Sequence, residues 1–309
     1  MWKWFSIVVI VSLLPLFLGC LDDPAQKGDL KFTDPLGHEV VLERIPERIV
    51  TLSPAITETV FALGAGDKVI ATDNVSNYPP EASGLPKVFG YNYLAREELV
   101  MLDPDLIIMD KTLDISENAY NSVKDLGLPV YRIFPKDMEE VLEAIIGIGN
   151  ITGTPEKANG IVEDFRNRMG AVSSYMEGVS DDDRPGILLV TFYDGAYDPW
   201  VSTDSTMAGG LIEAAGGNNV ISDDTGIVVT VSVERVIGAD PDIIICTQSS
   251  VWPTESKDKI MSDDRWKDIS AVRENRVFEV DGDIIDRTGP RLILGLEEMH
   301  EHIREYIEE

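Results

Sequence analysis

The chain has 309 residues, a length that predicts about two domains of ordinary size. Hydrophobic residues make up 44% and charged residues 26%, which is typical of globular proteins and excludes a collagen-like, disordered or multi-span membrane protein. Against 26 basic side chains stand 55 acidic ones, and the formal net charge of −29 argues against binding to nucleic acid, whose phosphates it would repel.

The first 20 residues have the pattern of an export leader. The apolar run over 5–18 is shorter than the roughly 20 residues that a membrane-spanning helix needs. A small residue before Cys20 resembles a lipoprotein cleavage box, so we predict that Cys20 is acylated and that a polar tether follows. An uncleaved anchor is the alternative, because Lys3 is the only positive charge before the apolar run. Cys246 is the only other cysteine and is predicted to be a core thiol, so a disulfide framework is excluded.

Strand–helix–strand units are predicted once in each half of the chain. The first has a strand over 48–53, a helix over 54–63 that ends at Gly64-Ala-Gly66, and a strand over 68–71. The second has a strand over 187–192, a helix over 207–215 that ends at Gly216-Gly217, and a strand over 219–222. Strands that alternate with helices predict parallel sheets with right-handed crossovers.

One segment downstream of these units occurs twice. The segment 97–109 recurs at 234–246, an offset of 137 residues. In each copy a short helix is predicted to end before Asp-Pro, because proline disfavours helix in the preceding residue, and an apolar run of strand length follows. Such runs are typical of buried parallel strands. The repeat therefore predicts two similar lobes.

A long helix is predicted between the two lobes. Thr154 is a good N-cap, Pro155 suits the first turn, and apolar residues keep one face as far as Met176. At 1.5 Å per residue, the segment 155–176 spans about 33 Å. We interpret it as a rigid rod that joins the lobes, with an ordinary surface helix of one domain as the alternative. A last amphipathic helix is predicted over 291–307.

The predicted fold is therefore α/β, with two Rossmann-like lobes that contain parallel sheets and are joined by one long α-helix. The predicted units in chain order are a signal peptide (1–20), a tether and N-terminal extension (21–46), an N-terminal lobe (47–135), a helical linker (136–180), a C-terminal lobe (181–290) and a C-terminal helix (291–309).

Sequence motifs of common enzymes are missing. The chain has no Gly-x-Ser-x-Gly, His-Glu-x-x-His or Gly-x-x-x-x-Gly-Lys-Ser/Thr pattern. Of the three histidines, His300 and His302 are two residues apart and so lie on different faces of a helix, which argues against a paired metal site. No catalytic residue, metal site or intrinsic cofactor is predicted, and binding is favoured over catalysis.

The candidate ligand-binding residues follow the predicted strands. Open α/β sheets bind ligands beyond the carboxyl ends of their strands. The segments at those ends are rich in aromatic rings and polar groups, which suit a large planar or amphipathic ligand. The candidates are Tyr91, Tyr193, Trp200, Trp252, Asp283 and Arg287.

From about residue 45 onward, the chain resembles the substrate-binding proteins of ABC importers for cobalamin, ferric siderophores and haem. The matching segments are 48–58, 76–80 (Ser-Asn-Tyr-Pro-Pro), 97–109, 215–218, 234–246 and 287–291 (Arg-Thr-Gly-Pro-Arg). The resemblance implies a non-enzymatic monomer that holds a small molecule between its lobes and delivers it to an ABC permease and its ATPase subunits. With the leader, it implies a lipid-anchored protein on the extracytoplasmic face of the cytoplasmic membrane, or a periplasmic one.

The resemblance also implies roles for particular residues. In this family one glutamate of each lobe pairs with arginines of the permease, and Glu97 and Glu234 stand at those positions. The alternative is that each carboxylate only stabilises the first turn of its helix through the macrodipole. Asp283 and Arg287 match positions that contact the corrinoid in cobalamin-binding members.

The identity of the ligand is left between several classes. Tyr91 replaces a tryptophan of the cobalamin pattern and Val75 stands where an aromatic can occur, so ferric siderophores and haem stay open beside the preferred cobalt corrinoid. A chelatase-like enzyme and an extracytoplasmic sensor subunit are alternatives of other classes.

Overall fold

An antiparallel hairpin precedes the first lobe. The computed structural model describes residues 29–90, 93–111, 114–251 and 253–309. Strand β1 (Leu30–Thr33) pairs with β2 (Glu39–Leu42), and Asp34 closes the turn by accepting two backbone N–H groups at 2.8 and 3.0 Å. No strand is predicted here from the sequence, although the alternation that buries Val40 and Leu42 is the pattern that indicates one.

The N-terminal lobe is built on a sheet with the order β6-β5-β4-β3-β7-β8 in the described part of the chain. Its strands are β3 (Ile49–Thr51), β4 (Val69–Asp73), β5 (Lys87–Gly90), β6 (Tyr93–Leu94), β7 (Leu106–Asp110) and β8 (Val130–Ile133). Its helices are α1 (Pro54–Ala62), α2 (Arg96–Leu102) and α3 (Asp114–Lys124). All pairs are parallel except β5 with β6. The predicted strand–helix–strand unit is confirmed, with ends that differ by one or two residues.

Two helices connect the lobes, α4 (Met138–Thr152) and α5 (Pro155–Met176). The bounds of α5 are those predicted. Thr154 holds the predicted N-cap position, although its side chain makes no capping hydrogen bond. A Cβ atom on Gly149 would lie 2.4 Å from the Cβ of Ala158, so the glycine allows α4 and α5 to approach closely.

The C-terminal lobe contains a second sheet with the order β12-β10-β9-β13-β14, to which β11 adds by pairing with β9. Its strands are β9 (Gly186–Phe192), β10 (Trp200–Ser202), β11 (Asn218–Asn219), β12 (Val229–Thr230), β13 (Ile243–Gln248) and β14 (Val277–Asp281). The helices of this part are α6 (Met207–Ala215), α7 (Val233–Ala239), α8 (Ser256–Ser262), α9 (Ser270–Arg273), α10 (Gly282–Ile285) and α11 (Leu292–Glu308).

Antiparallel pairing is confined to one side of each sheet, whereas the opposite edge strands, β8 and β14, pair in parallel. Strands β10 and β12 run antiparallel to their neighbours, as β6 does in the first lobe. The connections from β9 to β10 and from β5 to β6 are too short for a helical crossover, so the chain returns as a hairpin. The strand predicted over 219–222 is also shorter in the structure, where only β11 pairs.

The internal repeat has the same geometry in both lobes. Helices α2 and α7 each have seven residues and end at an aspartate in the left-handed region, Asp103 (φ 45°) and Asp240 (φ 41°). Two residues later, Asp105 and Asp242 accept hydrogen bonds of 2.9 and 2.8 Å from the backbone at the starts of β3 and β9. Each Asp-Pro-Asp therefore ties a helix end to the central strand pair of its lobe.

A continuous apolar core passes from one lobe to the other. It contains Ile108 of β7, Phe165 of α5 and Ile245 of β13, all at most 1% exposed. Helix α5 packs against α4, α6 and α11. The long helix therefore contributes its apolar face to a core that both lobes share. Across the described ranges, no helix combines the length and the apolar character required to cross a membrane.

Candidate ligand site between the lobes

The N-terminal lobe contributes the loop 74–80, which follows β4. Asp73 at the end of β4 is buried, and its carboxylate accepts hydrogen bonds from two backbone N–H groups of the loop at 2.9 Å and from the Ser76 hydroxyl. Burial raises the pKa of Asp73, and these donors oppose that shift. Lys87 Nζ donates to the Ser76 carbonyl oxygen at 2.8 Å. The loop is therefore fixed from both sides and presents Asn77 to the other lobe.

The C-terminal lobe contributes α10 and the turn that follows it. Asp283 and Arg287 lie one helical turn apart, form an ion pair of 3.0 Å, and are only 9% and 7% exposed. Asp281 caps α10 by accepting the Asp283 N–H at 2.9 Å. A Cβ atom on Gly295 would lie 2.7 Å from a carbonyl oxygen of α10, so this glycine allows α11 to support α10 from behind.

Side chains of the two lobes meet at Asn77. Its Nδ2 donates to Ser250 Oγ at 2.7 Å, and its Oδ1 accepts from the Arg287 guanidinium at 2.9 Å. The Ser250 hydroxyl donates in turn to Asp283. The four side chains therefore close a ring of hydrogen bonds between the lobes, which we call the polar ring.

A second cross-link lies beside the polar ring. Glu58 of α1 is 2% exposed and accepts hydrogen bonds from the Arg291 Nε at 2.9 Å and from its backbone N–H at 3.1 Å. The Arg291 guanidinium also lies 3.7 Å from the centre of the Tyr78 ring. Glu58 and Arg291 are 233 residues apart in the chain, so the contact joins two distant segments.

Asp286 is a carboxylate whose place in the site was not predicted. The residue reaches the protein surface, but many protein atoms crowd around its carboxylate. Removal from bulk water raises the pKa of Asp286 to about 6, the negative charge of Asp283 adds to that shift, and Arg287 opposes it. Asp286 therefore adds to the site a carboxylate that holds its proton more tightly than an ordinary aspartate does.

Both lobes carry exposed aromatic rings near the carboxyl ends of their strands. Trp200 is 51% exposed and lies opposite Phe192 across the β9–β10 pair, while Tyr197 in the connecting loop is 76% exposed. Asp194 holds that loop by accepting two backbone N–H groups at 2.8 and 3.1 Å. In the N-terminal lobe Tyr78 is also exposed. Such rings can stack on a large flat ligand.

Tyr193 is not available to a ligand in this structure, which corrects its place among the candidates. It is 1% exposed, and its hydroxyl accepts from Arg265 at 2.7 Å and from the Trp266 indole at 3.2 Å and donates to Asp263 at 2.5 Å. The Arg265 guanidinium holds the pKa of Asp263 well below its usual range. Tyr193 therefore anchors the loop that presents the exposed rings.

Other candidates lie on the surface or outside the described residues. Glu97 and Glu234 are exposed, each at the second position of its helix, α2 or α7. Tyr91, Trp252 and Cys20 lie outside the described residues. The sequence reasoning did not single out Asn77, Ser250, Asp286 or the Glu58–Arg291 pair. The signal for the first two is their position in the loops that follow β4 and β13.

Comparison with known proteins agrees with this geometry. Residues 49–284 match the model of the periplasmic binding protein family, so the chain belongs to that family, as the resemblance implied. A relative in Bacillus subtilis, an uncharacterized ABC transporter substrate-binding lipoprotein, is 28% identical and covers 97% of this chain and 96% of its own. The vitamin B12-binding protein of Vibrio parahaemolyticus is 27% identical and covers 83% and 89%. The solved periplasmic heme-binding protein RhuT from Roseiflexus sp. RS-1 has a TM-score of 0.72 at 25% identity and covers 84% and 99%.

Proposed function

We propose that this protein is the extracytoplasmic substrate-binding protein of an ABC importer, and that it captures a cobalt corrinoid between its lobes and delivers it to the permease. The observation that carries the proposal is the meeting of 76–80 with Asp283 and Arg287, the segments most similar to cobalamin-binding proteins, at the boundary of the lobes. The names of the relatives, an ABC transporter substrate-binding lipoprotein and a vitamin B12-binding protein, support it. We assign ligand contacts to Trp200, Asp283 and Arg287, and to Tyr91 and Trp252 by their sequence positions.

The ligand is tested by direct titration. Cyanocobalamin, cobinamide, haemin and several ferric siderophores are added to the purified protein, and binding is followed by calorimetry and by tryptophan fluorescence. We expect both corrinoids to bind and Trp200→Ala to weaken them. Because Trp200 is half exposed, its loss leaves the fold intact, which circular dichroism verifies. Binding of no compound in the panel would refute the proposal.

Haem is the second candidate ligand. Phe192, Tyr197 and Trp200 are exposed rings on which a flat ligand can stack, and a neighbour of similar fold is a heme-binding protein. Tight binding of haemin, visible as a shifted haem absorption band, together with silence of both corrinoids, would favour this candidate over the first.

Docking to the permease is proposed for Glu97 and Glu234. Each carboxylate is exposed, and three residues further along each helix an aliphatic side chain is exposed as well, Val100 at 56% and Ile237 at 41%. The two lobes therefore present the same acidic and apolar pair, which suits a permease with two-fold symmetry and basic docking residues. Glu97→Lys or Glu234→Lys should abolish stimulation of transporter ATPase activity and leave ligand affinity unchanged. Glu98→Lys, at an exposed neighbour, is the control; loss of ligand affinity in either docking variant would contradict the assignment.

Attachment to the membrane is proposed through acylation of Cys20. The B. subtilis relative is named a lipoprotein, which supports this assignment. Metabolic labelling with a tagged fatty acid should mark the wild type but not Cys20→Ser, and the variant should leave the membrane fraction. Equal labelling of both forms would exclude Cys20 as the acylated residue.

A further inference from the structure

The side chain of Asn77 is a primary carboxamide whose two ends are both bound by the opposite lobe. An arginine has only donors, so the amide oxygen faces Arg287, and the Nδ2 group consequently donates to Ser250. The Ser250 hydroxyl directs its hydrogen to Asp283, which also accepts from Arg287. Within the polar ring, Arg287 thus offers a donor and Ser250 an acceptor at the spacing of an amide group, and Asp283 binds both of them.

The charges around this position favour an amide over a carboxylate. Asp283 and Arg287 neutralise each other, so the C-terminal lobe presents no net positive charge to a carboxylate. A carboxylate has no hydrogen to donate to Ser250 and would place a negative charge beside Asp283 and near Asp286. Asp283 and Arg287 are at most 9% exposed, and a mismatched partner for buried polar groups is penalised strongly.

We propose that Asn77 occupies a carboxamide-binding subsite, and that a ligand with primary carboxamides takes its place on Ser250, Asp283 and Arg287. This inference rests on the proposed function and narrows its ligand class to amide-bearing molecules. Corrinoids such as cyanocobalamin carry primary carboxamides around their ring, whereas haem carries carboxylates. Asn77 is then an internal competitor that lowers the apparent affinity for the cognate ligand.

The first experiment measures the competition. Cyanocobalamin and haemin are titrated into wild type, Asn77→Ala and Asn74→Ala, where Asn74 is an exposed residue of the same loop. We expect Asn77→Ala to bind cyanocobalamin about fivefold more tightly, the factor that follows if Asn77 fills the subsite about four-fifths of the time. Asn74→Ala should bind cyanocobalamin with the affinity of the wild type, and Asn77→Ala should bind haemin no more tightly than the wild type does. Unchanged or weaker binding of cyanocobalamin by Asn77→Ala would overturn the proposal, as would an equal gain for haemin.

The second experiment tests the subsite without the natural ligand. The Asn77→Ala protein lacks the carboxamide, so added acetamide should fill the subsite while acetate should not. We expect acetamide to raise the melting temperature of Asn77→Ala by about 2 °C more than that of wild type, the shift given by a ligand at a few times its Kd. Equal responses to acetamide and acetate would reject the subsite. If the wild type binds neither cyanocobalamin nor haemin, the proposed capture of corrinoid or haem is refuted. The comparison of acetamide with acetate still decides whether the carboxamide subsite exists.

Discussion

The ion pair between Glu58 and Arg291 provides the sharpest test of how the two lobes are held together. Glu58 lies in α1 and Arg291 precedes α11, and the pair is 2.8 Å apart with only 2% and 19% of the two side chains exposed. Glu58→Gln keeps the size of the side chain and a carbonyl acceptor, but it removes the charge that balances Arg291. The remaining guanidinium would be left largely buried beside the ring of Tyr78.

The magnitude follows from the burial of the pair. Removing one partner of a buried ion pair destabilises a protein by about 3–5 kcal/mol. The partial exposure of Arg291 and its contact with Tyr78 relieve some of this penalty, so we expect a loss of about 3 kcal/mol in the free energy of unfolding. Urea denaturation followed by circular dichroism measures it, with an unchanged m-value as the sign that the unfolded state is the same.

The matched control is an exposed pair of the hairpin. Lys31 and Glu39 are 3.3 Å apart with 63% and 60% of their side chains exposed. Glu39→Gln should therefore lower stability by no more than about 0.5 kcal/mol, as is usual for surface pairs. If Glu58→Gln also lost less than about 1 kcal/mol, the reasoning that this buried pair fastens the lobes would be wrong.

Three further predictions concern the charge, packing and chemistry of single residues. The folded-state pKa of Asp286, about 6, lies above its ordinary value of 3.8, so its ionisation lowers the stability of the fold as the pH rises through 6. Asp286→Asn should therefore raise the melting temperature relative to wild type at pH 8 but not at pH 3.5. An equal change at both pH values would contradict the assignment. Gly160→Ala on the open face of α5 should stabilise the protein by about 0.5–1 kcal/mol, whereas Gly149→Ala should destabilise it because the new methyl group meets Ala158. Calorimetry measures the melting temperatures, and a shift in the same direction for both variants would refute the close packing of α4 on α5. Burial raises the pKa of the Cys246 thiol to about 12, so a thiol reagent at pH 8 should modify the Cys246 peptide only after denaturant is added, as mass spectrometry can follow, and rapid labelling of the native protein would show that the strand opens readily.

Features with a local cause could be predicted from the sequence. The bounds of α5 follow from an N-terminal proline and an apolar period of one helical turn, and both are properties of neighbouring residues. The two Asp-Pro-Asp repeats likewise predicted two similar lobes, because the end of each short helix is decided by the residues on either side. These signals do not depend on what the segment touches in the folded chain.

The occupants of the boundary between the lobes were decided only by the tertiary structure. Tyr193 and Trp200 are both aromatic residues near the end of β9, yet one is buried by Trp266 and Arg265 while the other is exposed, because burial depends on segments distant in the chain. Asn77 gains its importance only from Ser250 and Arg287, which lie 173 and 210 residues away. A sequence determines which polar groups a chain carries, whereas the fold determines which of them must satisfy one another once water is removed.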